Sequence, residues 1–216
     1  MTPYNREQLE AIALVRDYLK TSPPSELSRL RRRIRSYLRF RKETDRFLEH
    51  HFSEICTHKC YRDRHSACCG REGITTFFAD IVINVLVSSD EEIDRLVHAL
   101  LTPNVGLKCV YLGNKGCVWR TKPVVCEMFL CEHARRTVFS RDPDAQQRWQ
   151  RLRQREKTYT WPSRPVLFDY LETVFIKAGY DSSLMYFHNS AGLLRVKDQS
   201  VKKRTKGAPK NLEKKH

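Results

Sequence analysis

Eight cysteines lie between Cys56 and Cys131 of the 216-residue chain, and the flanks contain none. They form two groups, Cys56, Cys60, Cys68 and Cys69, then Cys109, Cys117, Cys126 and Cys131. Thiols segregated in this way are used together. Four thiolates suffice to hold zinc tetrahedrally or to carry an iron-sulfur cluster, so the set has ligands for one or two centres. The competing use, a disulfide framework, requires an oxidising compartment. Residues 1–20 place Arg6, Glu7 and Glu10 where a signal peptide has its apolar core, so reduced thiols in the cytoplasm are expected. The longest apolar stretch, Ile81 to Val87 with Asn84 inside it, is far shorter than the about 20 residues a membrane span needs. No membrane association is expected.

The spacings add geometry. Cys56 and Cys60 are four apart, so a helical turn there puts both sulfurs on one face. Cys68 and Cys69 are adjacent, and neighbouring side chains diverge, so this pair serves two centres more easily than one. Cys126 and Cys131 also diverge unless a helix ends between them. Cys109 and Cys117 bracket Gly113-Asn114-Lys115-Gly116, a tight reversal that brings the flanking thiols together as in a knuckle. A two-centre arrangement therefore fits better than one site with four idle thiols. His58, His65 and His133 lie among the cysteines and are alternative ligands, although a histidine near a cysteine in sequence is more often a surface residue. The expected metal ligands are all eight cysteines.

These thiols need elements to hold them. Asn5, with Gln8 at the capping-box position, is expected to cap a first helix carrying Leu9, Ile12, Val15 and Leu19 on one face. Ser22-Pro23-Pro24 breaks it. Ser25 then opens a second helix with Leu27, Leu30, Ile34, Tyr37 and Leu38 at helical spacing. Ile74 to Leu86 reads as buried, with helix preferred over strand, and Ser89 with Glu92 caps a helix through Leu101 stopped by Pro103. Asp142 and Pro143 start a helix with Trp149 and Leu152 inside. A further helix is expected from Pro165 to Ala178, capped by Ser163 and stopped by Gly179, with Leu167, Leu171, Val174 and Phe175 facing a core. Leu184 to Lys197 reads as two short strands around Asn189-Ser190-Ala191-Gly192. The expected fold is mainly α with small β elements, an irregular α+β arrangement of helices packed around a cysteine-rich metal-binding centre. Its expected parts are a basic helical segment over 1–51, the cysteine cluster over 52–133, C-terminal helices and a hairpin over 134–197, and a disordered basic tail over 198–216.

Charge supplies the remaining signal. Forty Lys plus Arg against 25 Asp plus Glu give a net charge of +15, which favours nucleic acid or acidic protein as partner. Arg29, Arg31, Arg32, Arg33, Arg35 and Arg39 crowd the second helix, as a phosphate-contacting face or as a solvated face neutralised by acidic neighbours. A metal-stapled module for RNA, DNA or an acidic partner is accordingly an alternative function.

The order Cys-x3-Cys-x7-Cys-Cys, then Cys109-Val-Tyr-Leu, Gly116-Cys117, Lys122-Pro123 and Cys126 with Cys131 downstream, resembles the YkgJ-type cysteine-cluster family over residues 52–133. Members are described as zinc- or iron-chelating domains. The family's first group usually reads C-x2-C-x2-C-C, and this chain departs in both gaps, with Val110 where the family favours Pro and Lys122 where it favours Arg. The resemblance implies metal binding through the eight cysteines and no defined reaction. Related sequences are grouped with a flagellin lysine N-methylase, so an iron-sulfur-dependent enzyme, an oxidoreductase or a lysine N-methylase-like protein, is a second alternative. The chain has no glycine-rich nucleotide loop, no H-E-x-x-H and no G-x-S-x-G. Cys56-x3-Cys60 is followed by Asp63 where a radical S-adenosylmethionine motif has its third cysteine.

Overall fold

The computed structural model describes residues 1–63, 65–66, 68–70, 74–104, 106–161 and 166–186. Helices dominate. α1 (Pro3–Thr21) and α2 (Pro24–Ser53) are followed by a π-helical segment (Glu54–Tyr61), then α3 (Phe78–Val87) and α4 (Asp90–Leu101). A two-stranded antiparallel hairpin, β1 (Leu112–Gly113) with β2 (Gly116–Cys117), separates these from α5 (Val124–Glu127), α6 (Glu132–Phe139), α7 (Pro143–Thr160) and α8 (Leu167–Lys177). The fold is mainly α with small β elements. Among the described residues, no helix is long and apolar enough to cross a membrane.

α3 is the axis of the packing. Phe78, Ala79, Ile81, Val82 and Ile83 are all buried, so the helix is apolar around most of its circumference and needs neighbours on every side. α1 packs on it with Ala11, Ile12 and Val15, and α8 with Leu171 and Phe175. α2 uses aromatic rings to join the C-terminal helices. Phe47 stacks on Trp149 of α7 at 5.6 Å between centroids, Tyr37 meets Phe168 of α8 edge-on at 5.7 Å, and Phe52 meets Phe139 of α6 at 5.6 Å. Such pairs add about 0.5–1.5 kcal/mol each beyond the area they bury. The core is continuous from α1 to the turn after α8.

Several boundaries differ from the sequence expectation for local reasons. The cap of α1 is Thr2, whose Oγ1 accepts from Asn5 N at 3.1 Å, with Pro3 at the first helical position. Asn5 is used across the fold instead, donating to Leu100 O at 2.7 Å. α2 starts at Pro24 rather than Ser25, because the proline ring already has the φ of a first helical residue. The Ser89–Glu92 capping box and the Asp142 cap form as expected. α8 begins at Leu167, with Asp169 Oδ2 accepting from Val166 N at 3.1 Å, and ends before Gly179 at φ 90°. Ser163 and Pro165 lie outside the described residues. The expected first strand from Leu184 is instead a 3₁₀ turn, Ser183–Tyr186. Leu184 and Met185 are both buried, which a strand, sending neighbours to opposite faces, would not achieve on one core. The rest of the expected hairpin and the basic tail lie outside the described residues.

Candidate metal centre

Cys56 and Cys60 sit on the π-helical segment, both half-buried. Positions four apart share a face in this wider turn as they do in an α-turn. The chain then doubles back: Ser66 N donates to Cys60 O at 3.0 Å and Cys69 N to Ser66 O at 2.9 Å. Ser66 is buried at φ 36°, a left-handed conformation costing a non-glycine residue about 1–3 kcal/mol. Lys108 secures the reversal by donating its Nζ to the carbonyls of His65 and Ser66. Cys109 N donates to Cys69 O at 2.8 Å beside an antiparallel bridge between Gly70 and Lys108. The two cysteine groups, forty residues apart in sequence, are therefore joined through the backbone.

The second group is built on the hairpin. Asn114 and Lys115 make the turn and Gly116 takes φ 105°, a conformation open to glycine. The turn sets Cys117 opposite Leu112, whose N–H bonds Cys109 O at 3.0 Å, and the backbone amides of Tyr111 and Leu112 at Cys109 and of Trp119 at Cys117 work against the rise that burial causes in these thiols. Amide donors of this kind favour a thiolate. Buried Tyr111 pins the hairpin to the core, its hydroxyl bonded to Gln8 Oε1 at 3.3 Å and its ring edge-on to Trp119 at 5.4 Å. Tyr61 OH donates to Gly113 O at 3.1 Å and ties in the π-helical segment. α5 ends at Glu127, before Cys131, so the helix does break between Cys126 and Cys131. Cys131 caps α6, its Sγ accepting from Ala134 N at 3.4 Å.

Three polar side chains of the helical core hold the segment that carries Cys126. Asp80 of α3 accepts from Val124 N at 3.1 Å and from Phe77 N at 3.1 Å. Asn84, one turn on, accepts from Thr121 N at 2.9 Å. Arg41 of α2 donates to Lys122 O at 2.8 Å and to Tyr37 OH at 2.9 Å, and faces the buried Glu127 carboxylate at 3.7 Å. Lys122 Nζ approaches Glu127 at 3.4 Å from the solvent side. The sequence reading missed these residues. For Asp80 and Asn84 the only signal was polarity inside an apolar run, and Arg41 was one arginine among many on a basic helix.

Electrostatics relates the thiols. Charge on Cys109, Cys117 and Cys126 opposes a thiolate at Cys69, and Cys126 is opposed by Cys109, Cys117, Asp80 and Cys68. Cys56 is opposed by Cys68, Cys131 and Cys60. Cys68 and Cys69 touch through an S–H···S hydrogen bond that raises the Cys68 thiol and lowers Cys69. Burial pushes Cys56 and Cys109 up to about 11 and Cys126 up to about 12. Lys122 is the cation that works against this rise at Cys56, Cys68 and Cys117. Cys69 is thus coupled to Cys109, Cys117 and Cys126, and Cys56 to Cys60, Cys68 and Cys131, while Cys68 is coupled to Cys69 and Cys126 as well. Among the described residues, no three His, Cys, Asp or Glu side chains stand as ligands about one point. His58, His65 and His133 are exposed.

The arrangement is a helical scaffold presenting a loop-built thiol cluster. No family model, curated protein or solved structure matches the chain.

Proposed function

We propose that the chain is a cytoplasmic metal-binding protein of the zinc- or iron-chelating cysteine-cluster type, holding zinc or an iron-sulfur cluster at two four-cysteine centres. The observation that carries this reading is the backbone joining of the two cysteine groups, Cys109 N to Cys69 O at 2.8 Å beside the Gly70–Lys108 bridge, with the hairpin returning Cys117 opposite Leu112. Thiols brought together at that conformational cost, including the left-handed Ser66, suit a ligand that takes several sulfurs at once. The resemblance to YkgJ-type sequences supports the same reading. All-sulfur donor sets take zinc or iron, so the metal decides between a structural staple and an electron carrier.

Anaerobic purification followed by metal and acid-labile sulfide analysis tests it. Two equivalents of zinc in colourless protein, or iron and sulfide in brown protein, are the expected results. The iron outcome would move the iron-sulfur-dependent enzyme, oxidoreductase or lysine N-methylase-like, to the front. Protein containing neither zinc nor iron would overturn the proposal.

A second reading, docking on RNA or another polyanion, is favoured by one observation. Arg31, Arg32, Arg35 and Arg39 are exposed along α2, and none of the four has an acidic partner among the described residues, whereas Arg29 pairs with Glu26. The neutralised face considered from sequence is thus only partly formed. Filter binding to single-stranded RNA is expected to weaken as salt rises. Replacing these four arginines with Gln is expected to reduce the slope of log K against log salt by about 3 units, at about 0.7 for each phosphate that is no longer neutralised. Absence of saturable binding near physiological salt would remove this reading.

A further inference from the structure

A cleft of about 1210 Å³ runs between the N-terminus of α1, the end of α4 and the cysteine loops. Cys68 and Cys126 stand on its wall, and they are the two cysteines of the eight that are exposed. Its apolar surface is concentrated in an unusual way. Of the six large apolar side chains exposed among the described residues, five line this cleft: Met1, Leu101, Leu107, Val125 and Phe129. The sixth, Trp161, lies elsewhere.

Side-chain charge is what the described lining lacks. The chain is 30% Asp, Glu, Lys and Arg, yet none of the described residues lining the cleft has a charged side chain. Polar contacts there come from groups such as Thr2, Thr102 and Asn104. A charged ligand entering such a site would surrender hydration at a cost of several kcal/mol, and the one formal charge at the described wall, the α-ammonium of Met1, sits on a residue 75% exposed, where solvent screens it. Concave, mainly apolar walls with a few neutral polar groups are the ordinary form of small-molecule sites, and the volume exceeds the need of a drug-sized ligand. A protein partner would want about 800 Å² of surface on each side, more than the wall of this one cleft.

We infer that this cleft is a binding site for an uncharged small molecule with a predominantly apolar body, which would lie against the sulfurs of Cys68 and Cys126. The site draws one sulfur from each of the two cysteine groups of the sequence, so its occupant would shield both from solvent. The inference stands on the shape and chemistry of the wall and does not depend on which metal, if any, the thiols hold.

N-phenyl-1-naphthylamine, an uncharged apolar fluorophore, serves as the probe with the full-length protein as purified. Saturable binding of one equivalent is expected. Leu107→Asp and Phe129→Asp, which alter exposed side chains and so spare the core, are each expected to weaken it at least about tenfold, and Trp161→Asp to leave it unchanged. Circular dichroism and thermal melting of the variants check that the fold survives. Absence of saturable binding, or equal loss in the Trp161→Asp control, would overturn the inference. So would a protein dimeric by sedimentation whose dissociation by Leu107→Asp leaves probe affinity unaltered, since the apolar wall would then be an interface between two copies.

Discussion

Cys117→Ser is expected to abolish one of two metal equivalents and leave the other. The charge of Cys117 acts on Cys69, Cys109 and Cys126, the set proposed to share its centre. Cys56→Ser is expected to remove the other equivalent, and the double variant both. Cys69→Ser should behave like Cys117→Ser. Structural zinc sites in small domains are worth about 10–16 kcal/mol of apparent binding at neutral pH, so the loss should also appear as a lower melting temperature and poorer solubility. Cobalt substitution reports the outcome optically, since four-thiolate cobalt has intense visible bands that scale with the number of sites. Equal loss of both equivalents in Cys117→Ser and Cys56→Ser would show one shared centre and dissolve the partition. Full metal content and unchanged melting in Cys69→Ser and Cys117→Ser would remove these cysteines as ligands altogether.

The cysteine spacing conveyed part of this arrangement and not the rest. The adjacent pair Cys68-Cys69 and the knuckle from Cys109 to Cys117 are local features, and local geometry is legible from types and intervals. Cys69 is joined to the knuckle through Cys109 N, while Cys68 shares a hydrogen bond with Cys69 and a cleft wall with Cys126, which the divergence argument did not anticipate. Helices with amphipathic periodicity and explicit caps, such as α4 with its Ser89–Glu92 box, were readable to the residue. Boundaries failed where a side chain had a better use at long range. Asn5 looked like a cap, and Gln8 like its capping-box partner, yet both side chains bond across the fold, to Leu100 and Tyr111. Periodicity carries no information about such partners.

The cleft was illegible for the same reason. Leu101, Leu107, Val125 and Phe129 are ordinary singly, and only the fold sets them on one wall with Cys68 and Cys126. An exposed leucine needs no explanation, whereas five exposed apolar side chains on one concave surface do.

Asp80→Ala is expected to destabilise the protein by about 2–5 kcal/mol, because it strands the N–H groups of Phe77 and Val124, the latter in a buried position, at about 1–3 kcal/mol each. It should also reduce metal retention, although Asp80 is no ligand, since Val124 is two residues from Cys126. Asn keeps one acceptor and is expected to cost less. The carboxyl adds a pH dependence of definite sign. Burial pushes Asp80 up to about 7, against Arg41 and the two amide donors, so the folded state keeps its proton where the unfolded chain, near 3.9, has lost it. Between about pH 4 and 7 the native state binds more protons, so this group's contribution to stability falls as pH rises and levels off above 7. Partial burial and the neighbouring Glu127 carboxylate push Asp45 in the same direction, also to about 7. Urea unfolding of metal-free wild type and Asp80→Asn at pH 5 and pH 8 isolates Asp80, because Asp45 is common to both. The advantage of wild type over the variant is expected to shrink by a few kcal/mol from pH 5 to pH 8. A constant difference would show that Asp80 is ionised throughout, with Arg41 and the two amides outweighing its burial, and would make it a charged anchor of the Cys126 segment.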